Sequence, residues 1–184
     1  KEKIVMQEIS IGEIIRNRRI ELGLTQEKVC EGIYEPPTMS RIENDKQTPS
    51  YSKLVFLLQR LGLPDDRYYA LLSDHDIQIR DLEKEIVSCN VLGKYKEGLE
   101  FIEQLESIAD THDIHVQQLI LRSKTILGKI EKNEIKPHSP QEKLKILLRA
   151  IGITSPKFDL DEIGRGLYGL DEVKIINHIA GVFF

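Results

Sequence analysis

The sequence predicts an all-α protein in which a small amino-terminal helix-turn-helix bundle is followed by an antiparallel helical-hairpin array. Three observations carry that reading. Apolar residues recur at i, i+3 and i+4 along almost the whole chain, while alternating strand patterns are nearly absent. Predicted helices are short and glycine-punctuated up to Leu63, then long. Start signals are explicit, as in Ser139-Pro-Gln-Glu142, a capping box with proline at the first helical position. The expected division is a first domain over residues 1–63 and a second over 64–184.

The first helix is expected over Ile11 to Leu22, with Ile11, Ile14 and Ile15 on one face and Gly23 as its stop. Thr25 opens the second, because its hydroxyl can accept an orphan backbone N–H, and Gly32 closes it. The third spans about Pro37 to Asn44. Thr48-Pro49-Ser50 punctuates, and a strongly apolar helix through Leu54, Val55, Leu57, Leu58 and Leu61 runs to Gly62 and Pro64. To Leu63 the chain holds enough sequence for five short helices. Longer helices are expected over Asp66 to Val91, Tyr95 to Thr111 and Ile114 to Glu131. Another follows from Ser139 to about Ala150, then a loop over Gly152 to Lys157 and two helices starting near Asp159 and Leu170.

With 40% apolar and 30% charged residues, the 184-residue chain can bury a real core. Its net charge of −4 is unusual for a nucleic-acid binder, but charge is unevenly placed. Up to Leu63 there are ten Lys/Arg against nine Asp/Glu; from Pro64 onward there are sixteen against twenty-one. A DNA-binding role therefore needs a local basic patch in the first third. Cys30 and Cys89 stand far apart among helix-forming residues and read as small buried hydrophobes of a reducing cytosol. No apolar run approaches a membrane span and no signal sequence is present, so a cytoplasmic protein is expected. The apolar ending Gly-Val-Phe-Phe reads as a cut inside a helix.

A short helix, a glycine break and a second short helix can place one helix in the major groove of DNA, which is about 12 Å wide and admits a single α-helix. The stretch IRNRRIELGLTQEKV followed by MSRIENDKQTPS resembles the phage-repressor-like (XRE) helix-turn-helix family over about Ile11 to Leu63. That resemblance implies a structural ion pair between Arg19 and Glu43. It implies phosphate contacts by Thr25 and Gln26 at the start of the second helix and by Asn44 and Lys46 after the third, with Arg18 in the basic patch. Thr38, Ser40 and Arg41 fall on the recognition helix. Arg41 alone among them can donate two hydrogen bonds to guanine O6 and N7; Thr38 and Ser40 read bases less selectively. Pro36 and Pro37 stand where family members carry glutamine or serine, so the reading is assigned to Thr38, Ser40 and Arg41. Proline suits a first helical turn, and it forces the preceding Glu35 into extended geometry.

Beyond Leu63, Leu92-Gly-Lys-Tyr95-Lys-Glu97-Gly98-Leu99 resembles the start of a second helix in a tetratricopeptide repeat, where a small residue lets paired helices approach. The last stretch, EVKIINHIAGVFF, resembles the first helix of a further copy whose partner would follow. The combined layout resembles the Rgg/PlcR group of peptide-sensing regulators. It implies a homodimeric transcription factor on a double-stranded DNA operator, controlled by a short signalling peptide, with Asn177 as the best-placed peptide contact.

Other motifs point to no chemistry. Gly164-Arg-Gly166-Leu-Tyr-Gly169 fits a dinucleotide fingerprint in letters only, since no strand precedes it and only fifteen residues of the sequence follow it. His112 and His115 lack a third ligand nearby in sequence, so no metal and no cofactor are expected. No nucleophile–base arrangement stands out, which leaves an enzyme as a distant third. The competing reading is an interaction module whose helix-turn-helix no longer binds DNA; steep salt dependence of DNA binding separates the two.

Overall fold

The computed structural model describes residues 10–64, 73–110 and 112–183. Helix α1 (Ile11–Glu21) starts at Ser10, whose hydroxyl accepts the Glu13 N–H. Helix α2 (Gln26–Cys30) starts at Thr25, which caps the Lys28 N–H at 3.2 Å. Helix α3 (Pro36–Glu43) holds both prolines in its first turn, one residue earlier than the spacing suggested. The N–H groups missing there are orphans in any helix, so neither proline costs a bond. Glu35 is extended, at φ −73° and ψ 147°. Helix α4 (Tyr51–Arg60) follows.

Among residues 10–64 these are four helices, not five. They close on one core of Ile15, Val29, Cys30, Met39, Ile42, Leu54, Phe56, Leu57, Leu58 and Leu61. Helices α1 and α3 meet closely at Gly12, where a Cβ would lie 2.1 Å from the Ile42 carbonyl oxygen.

The expected start near Asp66 lies outside the described residues. Helix α5 (Asp74–Leu92) begins behind Ser73, which forms a reciprocal capping box with Asp76. Gly93, at φ 68°, stops it, and the two-residue link Gly93-Lys94 turns the chain back into α6 (Tyr95–Ile108). Helix α7 (Ile114–Leu127) is capped by Asp113. It ends before Glu131, because Gly128 at φ 89° leads into an antiparallel hairpin, β1 (Lys129–Glu131) and β2 (Glu134–Lys136). Its turn residues Lys132 and Asn133 both have positive φ, 52° and 65°, the geometry that suits a two-residue hairpin turn. The all-α class holds around this one small sheet.

Helix α8 (Pro140–Thr154) opens at the Ser139–Glu142 capping box and runs through Gly152, where a loop was expected. Nothing lies within 4 Å of a Cβ at Gly152, while Ala150, Ile151 and Thr154 continue the buried stripe. Side-chain burial on the opposite face sustains the helix through the glycine. A 3-10 helix (Leu160–Arg165) and α9 (Leu170–Phe183) complete the chain.

Helices α5, α6 and α7 share a core built on Ile86, Cys89, Ile102, Leu105 and Leu127. Helices α8 and α9 pack through Leu147, Ala150, Ile151, Ile175 and Ile179. Both cysteines are buried free thiols, and burial raises their pKa, that of Cys30 to about 11. No described helix is long and apolar enough to cross a membrane.

Candidate nucleic-acid interface

The burial of α3 is one-sided. Met39, Ile42 and Glu43 face the core, whereas Pro37, Arg41 and Asn44, at i, i+4 and i+7, form an exposed stripe. Thr38 and Ser40 flank it half-buried. The Arg41 guanidinium makes no hydrogen bond or ion pair among the described residues. Asn44 returns its side-chain N–H to the Ser40 carbonyl at 2.7 Å, and the exposed Lys46 donates its backbone N–H to the Arg41 carbonyl at 2.8 Å. Between them Asp45 adopts φ 56° and accepts the Ser10 hydroxyl at 2.6 Å.

One carboxylate orders this face from beneath. Glu43, 4% exposed, takes two parallel bonds from Arg19, Nε to Oε1 at 2.6 Å and Nη2 to Oε2 at 2.8 Å. Arg19 Nη1 also reaches the Leu24 carbonyl at 2.9 Å, which ties α1, α3 and the turn before α2 together. Hydrogen bonding to Glu43 raises the already high pKa of Arg19. Gln26 joins the same group, with Nε2 donating to Glu43 Oε2 at 2.7 Å. Its amide donor is thereby engaged inside the domain. Thr25 is exposed at the α2 amino terminus.

Arg18 is not brought among these residues. It bonds the Leu61 carbonyl at 3.0 Å and Glu21 at 3.0 Å, fastening α1 to the end of α4. Lys53, not singled out from sequence, stands at the start of α4 instead. Lys53 lies 4.7 Å above the Tyr34 ring, and the Tyr34 hydroxyl accepts the Ser50 N–H at 3.3 Å. The threefold spacing Ser50–Lys53 was visible in the sequence, but nothing there linked it to Tyr34.

The domain is held from behind by a buried polar cluster. Arg60, 4% exposed, uses all five of its N–H donors. Nε and Nη2 pair with Glu172 at 3.3 and 2.8 Å, Nη1 reaches the Val29 and Glu31 carbonyls at 3.0 and 2.6 Å, and Nη2 reaches the Thr154 carbonyl at 2.8 Å. Glu172 also accepts the Thr154 and Ser155 hydroxyls and the Gly169 N–H. Despite the desolvation that opposes ionisation, these donors hold its pKa below the usual carboxylate value. Gln59 and Asp171 exchange two more bonds alongside. A Cβ at Gly32, itself at φ 72°, would lie 2.1 Å from the Thr154 carbonyl oxygen, so α2 sits directly against the end of α8.

A cleft of about 650 Å³ lies between α2, the start of α3 and residues 155–168. Lys157–Glu31 and Lys28 to the Arg165 carbonyl, each 2.8 Å, cross between the same two sides. The Gly164–Gly169 run lies in the 3-10 helix and the turn after it, with no strand before it. His112 precedes α7 and His115 lies in its first turn, and no group of His, Cys, Asp and Glu fit to hold a metal occurs among the described residues. Asn177 is exposed on α9.

No curated protein and no solved structure matches the chain. Residues 15–67 match the family model described as Helix-turn-helix. That segment contains the end of α1, the α2–α3 pair and all of α4, with the exposed face of α3 inside it. Residues 15–67 are therefore a helix-turn-helix domain of the XRE type, the DNA-binding module of a regulator.

Proposed function

We propose that the protein is a sequence-specific transcriptional regulator that inserts α3 into the major groove of a DNA operator and acts as a homodimer. The observation that carries this reading is Arg41, exposed at the middle of the α3 stripe with its guanidinium unengaged among the described residues. A planar fork free to donate twice suits guanine O6 and N7. Thr38 and Ser40, half-buried beside it, read the flanking positions.

Phosphate contacts fall to Thr25, Asn44 and Lys46, with Lys53 added from α4. Gln26 joins them by releasing its amide from Glu43, and Arg18 offers only the nitrogen left free by Leu61 and Glu21. Residues 64–184 form the tetratricopeptide-like second domain, and a short signalling peptide controls it. The exposure of Asn177 together with Leu170 and Val173 on one side of α9 supports a contact there. Pairing of half-sites supports the dimer, since one short reading helix gives little discrimination.

The internal engagement of Gln26 and Arg18 favours a second reading, an interaction module that has given up DNA. Selection of bound duplexes from a random pool, followed by mobility shifts over a salt series, decides between them. A selected sequence bound with steep salt dependence supports the regulator; no binding at low salt supports the module.

A further inference from the structure

The chain between α8 and α9 runs along the flank of the helix-turn-helix. Its two ends are fixed, because the Thr154 and Ser155 hydroxyls and the Gly169 N–H all donate to the buried Glu172 carboxylate. Between those ends, residues 156–168 bury no side chain completely. Phe158 is half-buried against the α8–α9 core, and Leu167 against the core of the first four helices. Two bridges across the cleft attach the segment to the α2 side, Lys157 to Glu31 and Lys28 to the Arg165 carbonyl. The Lys157 side chain is 86% exposed, so its bridge contributes little. A segment with fixed ends and few buried contacts opens at small cost.

This segment forms an acidic wall of the cleft. Asp159, Asp161 and Glu162 are all exposed, on the 3-10 helix and the residue before it. The two cations of the segment are already paired, Lys157 with Glu31 and Arg165 with Glu162. The facing wall reaches Thr25 and Pro36, at the amino termini of α2 and α3, and adds the carboxylates of Glu27 and Glu35. A cleft of about 650 Å³ is narrow enough for its walls to lie within the Debye length, about 10 Å at 0.1 M salt. A phosphate resting on Thr25 therefore meets carboxylates from across the cleft, and the Lys28 ammonium on its own side is held by the Arg165 carbonyl.

We propose that residues 156–168 are an autoinhibitory strap. Seated on α2, the strap sets Asp159, Asp161 and Glu162 against the DNA backbone and holds Lys28; lifted, it opens the α2–α3 pair to phosphate. This rests on the proposed docking of α2 and α3 on DNA.

The test is binding of the full chain to a fluorescent duplex of mixed sequence, followed by anisotropy over a salt series. One variant neutralises the strap, Asp159→Asn with Asp161→Asn and Glu162→Gln. Asparagine keeps the cap that Asp159 gives to the Asp161 N–H. A second variant makes the same change of charge on α5 and α6, Asp81→Asn with Glu85→Gln and Glu100→Gln, all exposed and outside the cleft. The strap variant is expected to bind about fivefold tighter than wild type at 0.1 M salt, the scale of several screened charge pairs about 10 Å apart. The gain shrinks as salt rises, and the remote variant gains far less. Leu167→Ser loosens the strap without changing charge and also tightens binding, its fold checked by a thermal melt.

Equal gains in the two charge variants would mean that net charge alone is at work. No gain in the strap variant would mean that the strap does not face DNA, and a folded Leu167→Ser chain that binds as wild type would make its seating immaterial. Any of these three results overturns the strap while leaving the DNA-binding reading in place. Failure of wild type and every variant to bind at low salt overturns both.

Discussion

A guanidinium on the exposed stripe of α3 contributes specificity only where it can lie in plane with a base edge, and Arg41 has no competing partner among the described residues. Arg41→Ala is expected to remove about 1–3 kcal/mol of discrimination at one position of the selected operator, read as loss of preference in competitive mobility shifts. Unchanged preference would exclude Arg41 from base reading. His115 gives a second residue-scale expectation. Burial alone would lower its pKa, but Glu83 at 3.1 Å and Asp171 at 4.0 Å outweigh it and hold the imidazolium to about 9. A raised folded pKa stabilises most below the ordinary value of 6.5 and loses that contribution as pH climbs through about 9. The stability gap between wild type and His115→Gln should therefore close over that range in pH-dependent thermal melts. A gap independent of pH would show that His115 acts through packing against the Phe56 ring alone.

At the scale of elements, the tightest junction is Gly32 against the end of α8. Gly32→Ala meets both a left-handed φ and a backbone oxygen that cannot swing aside. It should destabilise by at least about 2 kcal/mol, judged from the penalties for strain and overpacking, as read by urea unfolding; a neutral result would mean that the two elements separate freely. Much of the element layout was legible because caps are local chemistry. Ser139 to Glu142, Thr25 and the two prolines each announce a start within four residues. Two stretches were not legible for equally physical reasons. Gly152 looked like a stop, but the helix is held by Ala150, Ile151 and Thr154 on its buried face, which outweigh the roughly 1 kcal/mol cost of an exposed glycine. The 129–136 hairpin is too short and polar to show a period, and its turn uses Lys-Asn where Asn-Gly would have signalled it. In the candidate face, the Arg19–Glu43 pair was implied by the family resemblance and is present, whereas the loss of Gln26 to Glu43 depended on a fold-level meeting of α2 and α3.

At the scale of the whole molecule, the acidic excess after Pro64 makes DNA affinity depend on a few local cations. Each phosphate neutralised contributes about −0.9 to the slope of log K against log salt, so Lys46→Ala should flatten the measured slope by about one unit. An unchanged slope would place Lys46 off the backbone. The Arg60–Glu172 pair is the other whole-molecule feature, and no sequence pattern announces it because its members stand 112 residues apart. Glu172→Gln is expected to cost about 3–5 kcal/mol by leaving a buried guanidinium uncompensated. The paired change Arg60→Met with Glu172→Leu should recover much of it in the same unfolding assay, while no recovery would point to strain elsewhere. That separation also fixes an order of events during synthesis. At the usual rates of chain synthesis α9 emerges on the order of ten seconds after α4. Until then Arg60 has only the carbonyls of Val29, Glu31 and, once α8 is made, Thr154 to hold. The helix-turn-helix bundle, made first, therefore has one buried charge whose partner is among the last residues to be made.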